Sequence, residues 1–382
     1  TATDTHNTAV GHNAGNDVTT GQFNTLIGSL AGDALTSGNT NVAVGKDALG
    51  ADTLGDRNVA IGFQALATQN FTTTTDAFNV GVGYQAGTAI TTGLYNTLIG
   101  GGAGDAITDS DYNVAVGNAA LTTNTLGSKS TAIGYGALSE QNYTTATDSF
   151  NTAVGYLAGE NVSTGVNNTF IGGLAGDALT TGDSNVGVGK FALSADTTGR
   201  KNTALGTGTL FSQNFTTSIE SYNVAVGYNT GFYITTGVEN TFVGSLAGDA
   251  TTDADFNVGI GWGALGANTV GSKSVAVGTG TLDAQNPTTA TDMHNTAVGH
   301  GAGTAVTTGF RNTLIGSSSG DALTEGNNNI AVGFGALSSD TLGDRSTAIG
   351  IDALGVQNFT TSTDSYNTAV GFQAGVTVST GT

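Results

Sequence analysis

Five residues, Asn7-Thr8-Ala9-Val10-Gly11, return along this chain twenty-one times, down to Asn367-Thr368-Ala369-Val370-Gly371. The motif asparagines stand at 7, 24, 41 and 58, then at 79, 96 and 113. The spacing is 17, 17, 17 and 21 residues, and the sum of 72 holds without slippage. Blocks of four coils therefore start at Asn7, Asn79, Asn151, Asn223, Asn295 and Asn367, the sixth incomplete. Length alone suggests two or three globular domains, but a strict period overrides that prior. The expectation is one continuous β-solenoid domain over 1–382, a parallel β-roll of about twenty-one coils. The chain opens at Thr1 and closes at Thr382, both inside a repeat, so it reads as a slice of a longer protein.

Motif positions carry separate jobs. Position five is glycine in every copy, as a sharp turn at positive φ requires. Position four is Val, Ile or Leu, and position two is Thr, Val or Ile; these β-branched residues share one face of a strand. Position three points the other way and is Ala or Gly in most coils, but large in the second coil of each block: Leu26, Leu98, Phe170, Phe242 and Leu314. Both faces are apolar or small, whereas a solvated face would alternate with polar residues. One face is expected to line the coil and the other to be covered by further copies of the chain. Position one is Asn in eighteen copies and Ser at 130, 274 and 346, which suits side-chain ladders between coils. An alanine three residues after the glycine, as at Ala14, Ala31 and Ala48, allows close packing at a second turn.

Composition narrows the function. Glycine is 61 of 382 residues with a single proline, which excludes collagen. At 38% hydrophobic the chain is too apolar for a disordered tail. It has no cysteine, so neither disulfides nor thiolate metal sites enter. A net charge of -20 argues against nucleic acid or an anionic membrane as partner. No apolar run reaches membrane-spanning length, and no signal peptide is visible. Seventeen residues enclose few side chains, and twenty-one coils at about 4.8 Å each extend on the order of 100 Å. Such a rod gains burial by assembly about a symmetry axis, so a homotrimer is expected.

The pattern Asn-Thr/Val-Ala-Val/Ile-Gly-x-x-Ala resembles the head repeat of YadA-like trimeric autotransporter adhesins. The longer form, Asn24 to Gly38, also resembles repeats of phage tail-fibre proteins. The resemblance covers the whole chain and implies a parallel β-roll with three chains side by side, extracellular, on a virion tail or a bacterial surface. The coils here are longer than the usual head repeat, and every fourth gains four residues. Nothing matches the family's stalk, membrane anchor or self-cleaving chaperone domain.

The long fourth coil is where binding chemistry concentrates. Its insert begins Gln69-Asn70-Phe71, with equivalents at Tyr143, Phe215, Pro287 and Phe359. An acid recurs at Asp76, Asp148 and Glu220, a ring before the motif at Phe78, Phe150 and Tyr222, and a ring after the glycine at Tyr84, Tyr156 and Tyr228. These twelve residues, Phe71 and Tyr143 and Phe215 included, form the candidate stripe for a glycan or protein receptor. Rings would stack on sugars while Asp, Asn and Thr bond hydroxyls; the alternative is that the rings only close the enlarged coil. His6, His12, His294 and His300 occupy ring positions that hold Phe or Tyr elsewhere, so packing is preferred over metal binding. Asp33, Asp105, Asp177, Asp249 and Asp321 form an acidic column, and Arg57, Lys129, Lys201, Lys273 and Arg345 a basic one. One carboxylate per site is thin ligation for calcium, so both columns read as solvated charges.

No nucleophile elbow, phosphate loop or HExxH occurs, and a one-off active site would break the repeat, where no break is apparent. No enzyme, cofactor or metal is expected. The expected function is a rigid trimeric shaft for receptor or host-surface binding through many weak sites. A self-assembling filament or coat with a mechanical role is the alternative. Ice binding ranks below both, because Thr19-Thr20-Gly21 and Thr91-Thr92-Gly93 give way to Thr53-Leu54-Gly55 in the third coil.

Overall fold

The computed structural model describes residues 4–382. The described residues are all-β, without helix: a parallel β-solenoid of about 21 turns. Contacts divide it into two compact units, one ending at Asn185 and the other starting at Val186. The first holds ten three-residue strands, from Thr8–Val10 to Thr169–Ile171, and the second holds eleven, from Val186–Val188 to Thr368–Val370. Within each unit a strand pairs in parallel with its counterpart one coil on, residue for residue. Thr25, Leu26 and Ile27 lie beside Val42, Ala43 and Val44, and Thr241, Phe242 and Val243 beside Val258, Gly259 and Ile260.

The strand is short because the motif residues at its two ends do other work. At position five the glycine turns the chain with φ near +135°, as at Gly28. A Cβ there would lie 2.5 Å from the carbonyl oxygen of Gly45 in the next coil, so only hydrogen fits. At position one the asparagine turns inward and is buried. The backbone N–H of Asn24 donates to Asn7 Oδ1 at 2.8 Å, and that of Asn41 to Asn24 Oδ1 at 2.9 Å. Asn24 Nδ2 donates to the carbonyl of Gly38 at 2.8 Å. The same ladder runs in the second unit, where Asn240 N–H donates to Asn223 Oδ1 at 2.9 Å. Buried amides are thereby satisfied, each bond contributing about 1 kcal/mol net. In two of the three copies where position one is serine, a second hydroxyl completes the reach: Ser130 and Ser149, and Ser346 and Ser365, stand 2.5 Å apart.

Position three is the inward face, as Ala43, Ala60, Leu98, Phe170 and Phe242 are all fully buried. Beyond the first coil of each block, where both are small and neighbouring coils reach in, as Leu66 and Leu98 do at Gly87, its volume trades against the residue four places after the glycine. In the second coil Leu26 is large, and a Cβ at Gly32 would fall 2.8 Å from it. In the third coil Ala43 is small, and buried Leu49 fills the space. Phe170 repeats the trade with Gly176, whose Cβ would lie 2.4 Å from the ring. Leu49 adopts φ of +51° to get there. A left-handed leucine costs on the order of 1–2 kcal/mol, and burying its side chain offsets that with about 1.5–3 kcal/mol.

Two outer ladders brace the coils. Threonine hydroxyls donate down one corner, Thr19 to the carbonyl of Thr36 at 3.0 Å and Thr36 to that of Thr53 at 3.1 Å. Short polar side chains accept backbone N–H groups beside the ring positions, Asn39 from Gln22 at 2.9 Å and Asp111 from Leu94 at 2.8 Å. The four extra residues of the long coil form a small second ladder, with Thr75–Asp76 parallel to Gly55–Asp56. Inside that coil, buried Gln69 donates from Nε2 to Asp52 Oδ2 at 2.7 Å, and its Oε1 accepts from Asn79 Nδ2 at 2.9 Å.

Candidate functional site

With position three inward, positions two and four face out. The outward residues are Thr, Val, Ile and Leu, without a charge, and stay open to solvent; Ile27 is 39% and Ile171 41% exposed. The residue before the asparagine lies outside the strand and is exposed at Phe78, Tyr95 and Tyr112. That residue is left-handed in coil after coil: Phe78 at φ +50°, Tyr95 at +58°, Lys129 at +62°.

The acid and basic columns meet at the edge of this face. Lys129 Nζ lies 2.6 Å from Asp148, Lys201 the same distance from Glu220, and Lys273 2.5 Å from Asp292; Arg57 pairs with Asp76 and Arg345 with Asp364. The hydrogen bond from Lys201 holds the Glu220 carboxyl below its ordinary range, helped by Tyr222 Oη, and the same bond raises Lys201. Four of these five cations also cover a ring: Arg57 sits 5.4 Å from the Phe78 centroid, Lys129 5.2 Å from Phe150, Lys201 5.0 Å from Tyr222 and Arg345 5.5 Å from Tyr366. Acid, cation and ring are one unit made across a coil boundary, exposed, and so worth little as a stability term.

The rings stack along the coils. Phe78 lies 5.6 Å from Tyr95, and Tyr95 4.9 Å from Tyr112, with planes within 13° and 3°. Phe78 is thus faced by a guanidinium on one side and a ring on the other. Sugar stacking uses a free ring face, and such rings offer edges instead. Tyr84 stacks on Phe63 at 5.4 Å and Tyr156 on Tyr135 at 5.6 Å. The next coil carries Gly101 and Gly173 at the matching positions, so it offers no ring to stack on the far faces of Tyr84 and Tyr156. Tyr228 is exposed.

Phe71, Tyr143 and Phe215 lie elsewhere. Each is buried to 5–6% exposure and packs the interior of the long coil. Tyr143 Oη donates to the carbonyl of Gly165 at 2.8 Å, and burial pushes its pKa up to about 12. The structure therefore gathers the exposed rings and acids at the face edge but sends these three to the core. The second acidic column is partly buried, and desolvation raises the carboxyls of Asp33, Asp249 and Asp321. Asp105 accepts from Thr122 Oγ1 at 2.7 Å. Among the described residues, no three His, Asp or Glu side chains converge as a metal-binding group. His6 stacks on Phe23 at 5.5 Å.

One cluster escapes a reading by periodicity. In the second unit Phe211 stacks on Phe232 at 4.8 Å, with Phe191 edge-on to the first and Tyr233 edge-on to the second. The repeat does break here. Other blocks put Asp47, Ala119, Gly263 and Gly335 where Phe191 stands, and Ala67, Ser139, Asp283 and Gly355 where Phe211 stands. They put Thr88, Glu160 and Thr304 at the place of Phe232, and Ala89, Asn161 and Ala305 at that of Tyr233. Aligning blocks column by column and asking for outliers exposes all four.

No protein-family model, curated protein or solved structure matches this chain.

Proposed function

We propose that this chain is a non-catalytic shaft segment of an extracellular fibre or adhesin, three copies packed by their outward strand faces, on a virion tail or bacterial surface. The observation that carries the reading is that face. It is uncharged and mostly β-branched, and along it Ile27, Ile99, Ile171, Ile260 and Ile315 stay open to solvent. Contiguous apolar surface of that kind marks an interaction site in soluble proteins. A net charge of -20 keeps other surfaces apart and leaves this one as the favourable contact.

The 72-residue block then acts as the unit of display. Each repetition brings another exposed ring from the Tyr84, Tyr156 and Tyr228 column, so many weak contacts add along the shaft. Light scattering tests the assembly: three copies of 37.7 kDa are expected, and a stable particle of one chain mass overturns it. Open-ended polymers in negative stain would replace the shaft by a mechanical filament. Replacing Tyr84, Tyr156 and Tyr228 together by alanine should abolish host-surface attachment while the trimer persists.

A further inference from the structure

The position just after the motif glycine carries a second period, shorter than the block. In the second unit its rings are Tyr228, Trp262, His300, Phe334 and Phe372, at intervals of 34, 38, 34 and 38 residues. Each interval is two coils, and the coils between carry Ser245, Thr279, Ser317 and Ile351. Backbone bonds keep the column straight: the N–H of Leu246 donates to the carbonyl of Tyr228, that of Gly263 to Ser245, and that of Gly280 to Trp262. The rings therefore recur about every 10 Å along roughly 40 Å of solenoid. In the first unit the rings of this column fall in adjacent coils and stack in pairs, Phe63 on Tyr84 and Tyr135 on Tyr156. The five rings of the second unit have no ring partner among the described residues. Tyr95, stacked on both sides, keeps 42% exposure, whereas Tyr228 keeps 57%, Trp262 and Phe334 58% each and Phe372 71%. Most of a ring's surface is its two faces, so exposure above that of a doubly stacked ring means open face. The chain's single tryptophan is one of them.

We propose that this column binds a neutral β-1,4-linked polysaccharide of the cellulose or chitin type, extended along the coils. Such a polymer is a ribbon in which each sugar is flipped relative to the last, so the same C–H face returns at every second sugar. Rings in alternate coils repeat on that disaccharide step and can each take one such face. Rings in every coil would ask for the same face at every sugar, and an α-linked glucan coils out of step. The net charge of -20 selects against an acidic polymer. Weak stacks held in register add along one ligand. The inference rests on the display role proposed for the ring column and names its ligand class; it needs no second copy.

Depletion of the 382-residue chain from solution by microcrystalline cellulose, by chitin and by granular starch tests this. Saturable uptake by cellulose or chitin is expected, the two arms telling a glucan from its N-acetylated counterpart, with starch weaker by roughly tenfold or more. Trp262→Ala should weaken uptake roughly tenfold, the scale of one lost aromatic stack, with melting unchanged. The double variant Trp262→Ser, Thr279→Trp keeps the number of rings but sets one a coil out of step, and it should bind no better than Trp262→Ala. Absence of uptake by both cellulose and chitin overturns the proposal, as does equal uptake by starch, or a double variant that binds as the native chain does. Host-surface attachment that depends on Tyr84, Tyr156 and Tyr228, in a chain that takes up neither polymer, would remove this ligand class and leave the display role standing.

Discussion

The long coil is built in two chemical forms, and the same backbone holds both. Asp52, Asp196 and Asp340 accept from Gln69, Gln213 and Gln357 at 2.7, 2.6 and 2.6 Å. Asn124 and Asn268 stand at the same place in the other two blocks. Their Nδ2 groups donate to the carbonyls of Gly127 and Gly271, at 2.7 Å each, so they cannot be acceptors for the glutamine in the same way. Gln141 recovers by donating to Ser130 Oγ at 2.9 Å, where Ser149 is also at hand. Gln285 does not: with Met293 in place of that second serine, its buried Nε2 has no partner. One oxygen exchanged for a nitrogen thus propagates through three side chains. The coil tolerates the exchange when a hydroxyl is supplied and carries an unsatisfied amide when it is not.

The largest test of that difference removes the glutamine. Gln69→Leu leaves the buried Asp52 carboxylate without its side-chain donor and Asn79 Nδ2 without Oε1, which should cost about 3–5 kcal/mol. Gln285→Leu removes a group already half unpaired and should cost roughly 1–2 kcal/mol. Native-state hydrogen exchange at the adjoining strands reads each value locally, which suits a repeat protein; equal costs would erase the distinction.

A pH series separates the forms by sign. Burial raises the carboxyls of Asp52 and Asp196. A raised folded pKa gives stability that is fully present below the unfolded value and is lost as pH rises through the folded one. The native chain should therefore gain on Asp52→Asn as the solution is acidified. The gain is about 1.4 kcal/mol per pH unit between the two pKa values. Urea titrations of both proteins check it, and a constant difference would mean that Asp52 does not titrate on folding. The smallest effect belongs to the hydroxyl: Ser149→Ala should cost about 1 kcal/mol, because Ser130 keeps its bonds to Gln141. A loss as large as that of Gln69→Leu would show that the serine pair, not the glutamine, holds the Asn form together.

Much of this was legible from residues alone. The asparagine ladder, the turning glycine and the parallel stack follow from a five-residue motif with a fixed period. Which strand face turns inward did not follow from polarity, because both faces are apolar or small. It follows from volume: Leu26 with Gly32, and Ala43 with Leu49, conserve filling only if positions three and nine share one interior. The long-coil rings divided for a similar reason. Phe71 and Phe78 look equivalent in composition, yet the turn between them sends one inside and one out. The pairing of the basic column with the acids of the candidate stripe was not legible, because Lys129 and Asp148 are 19 residues apart and only a coil of 21 residues brings them together. The cluster at Phe191 was hidden by the method, since a search for what recurs passes over what occurs once.

The asparagine ladder has a consequence for how such a chain changes length. Asn24 holds the tail of the turn that follows it, at Gly38, and the head of the next, at Asn41. The fastening for each turn is thus carried by the turn before, and nothing further along is needed to close it. A gene encoding such a protein can gain or lose a whole turn by slippage without redesigning the junction, provided the swap of large and small residues stays in phase. Length becomes a heritable setting separate from fold, adjusted in steps of one turn.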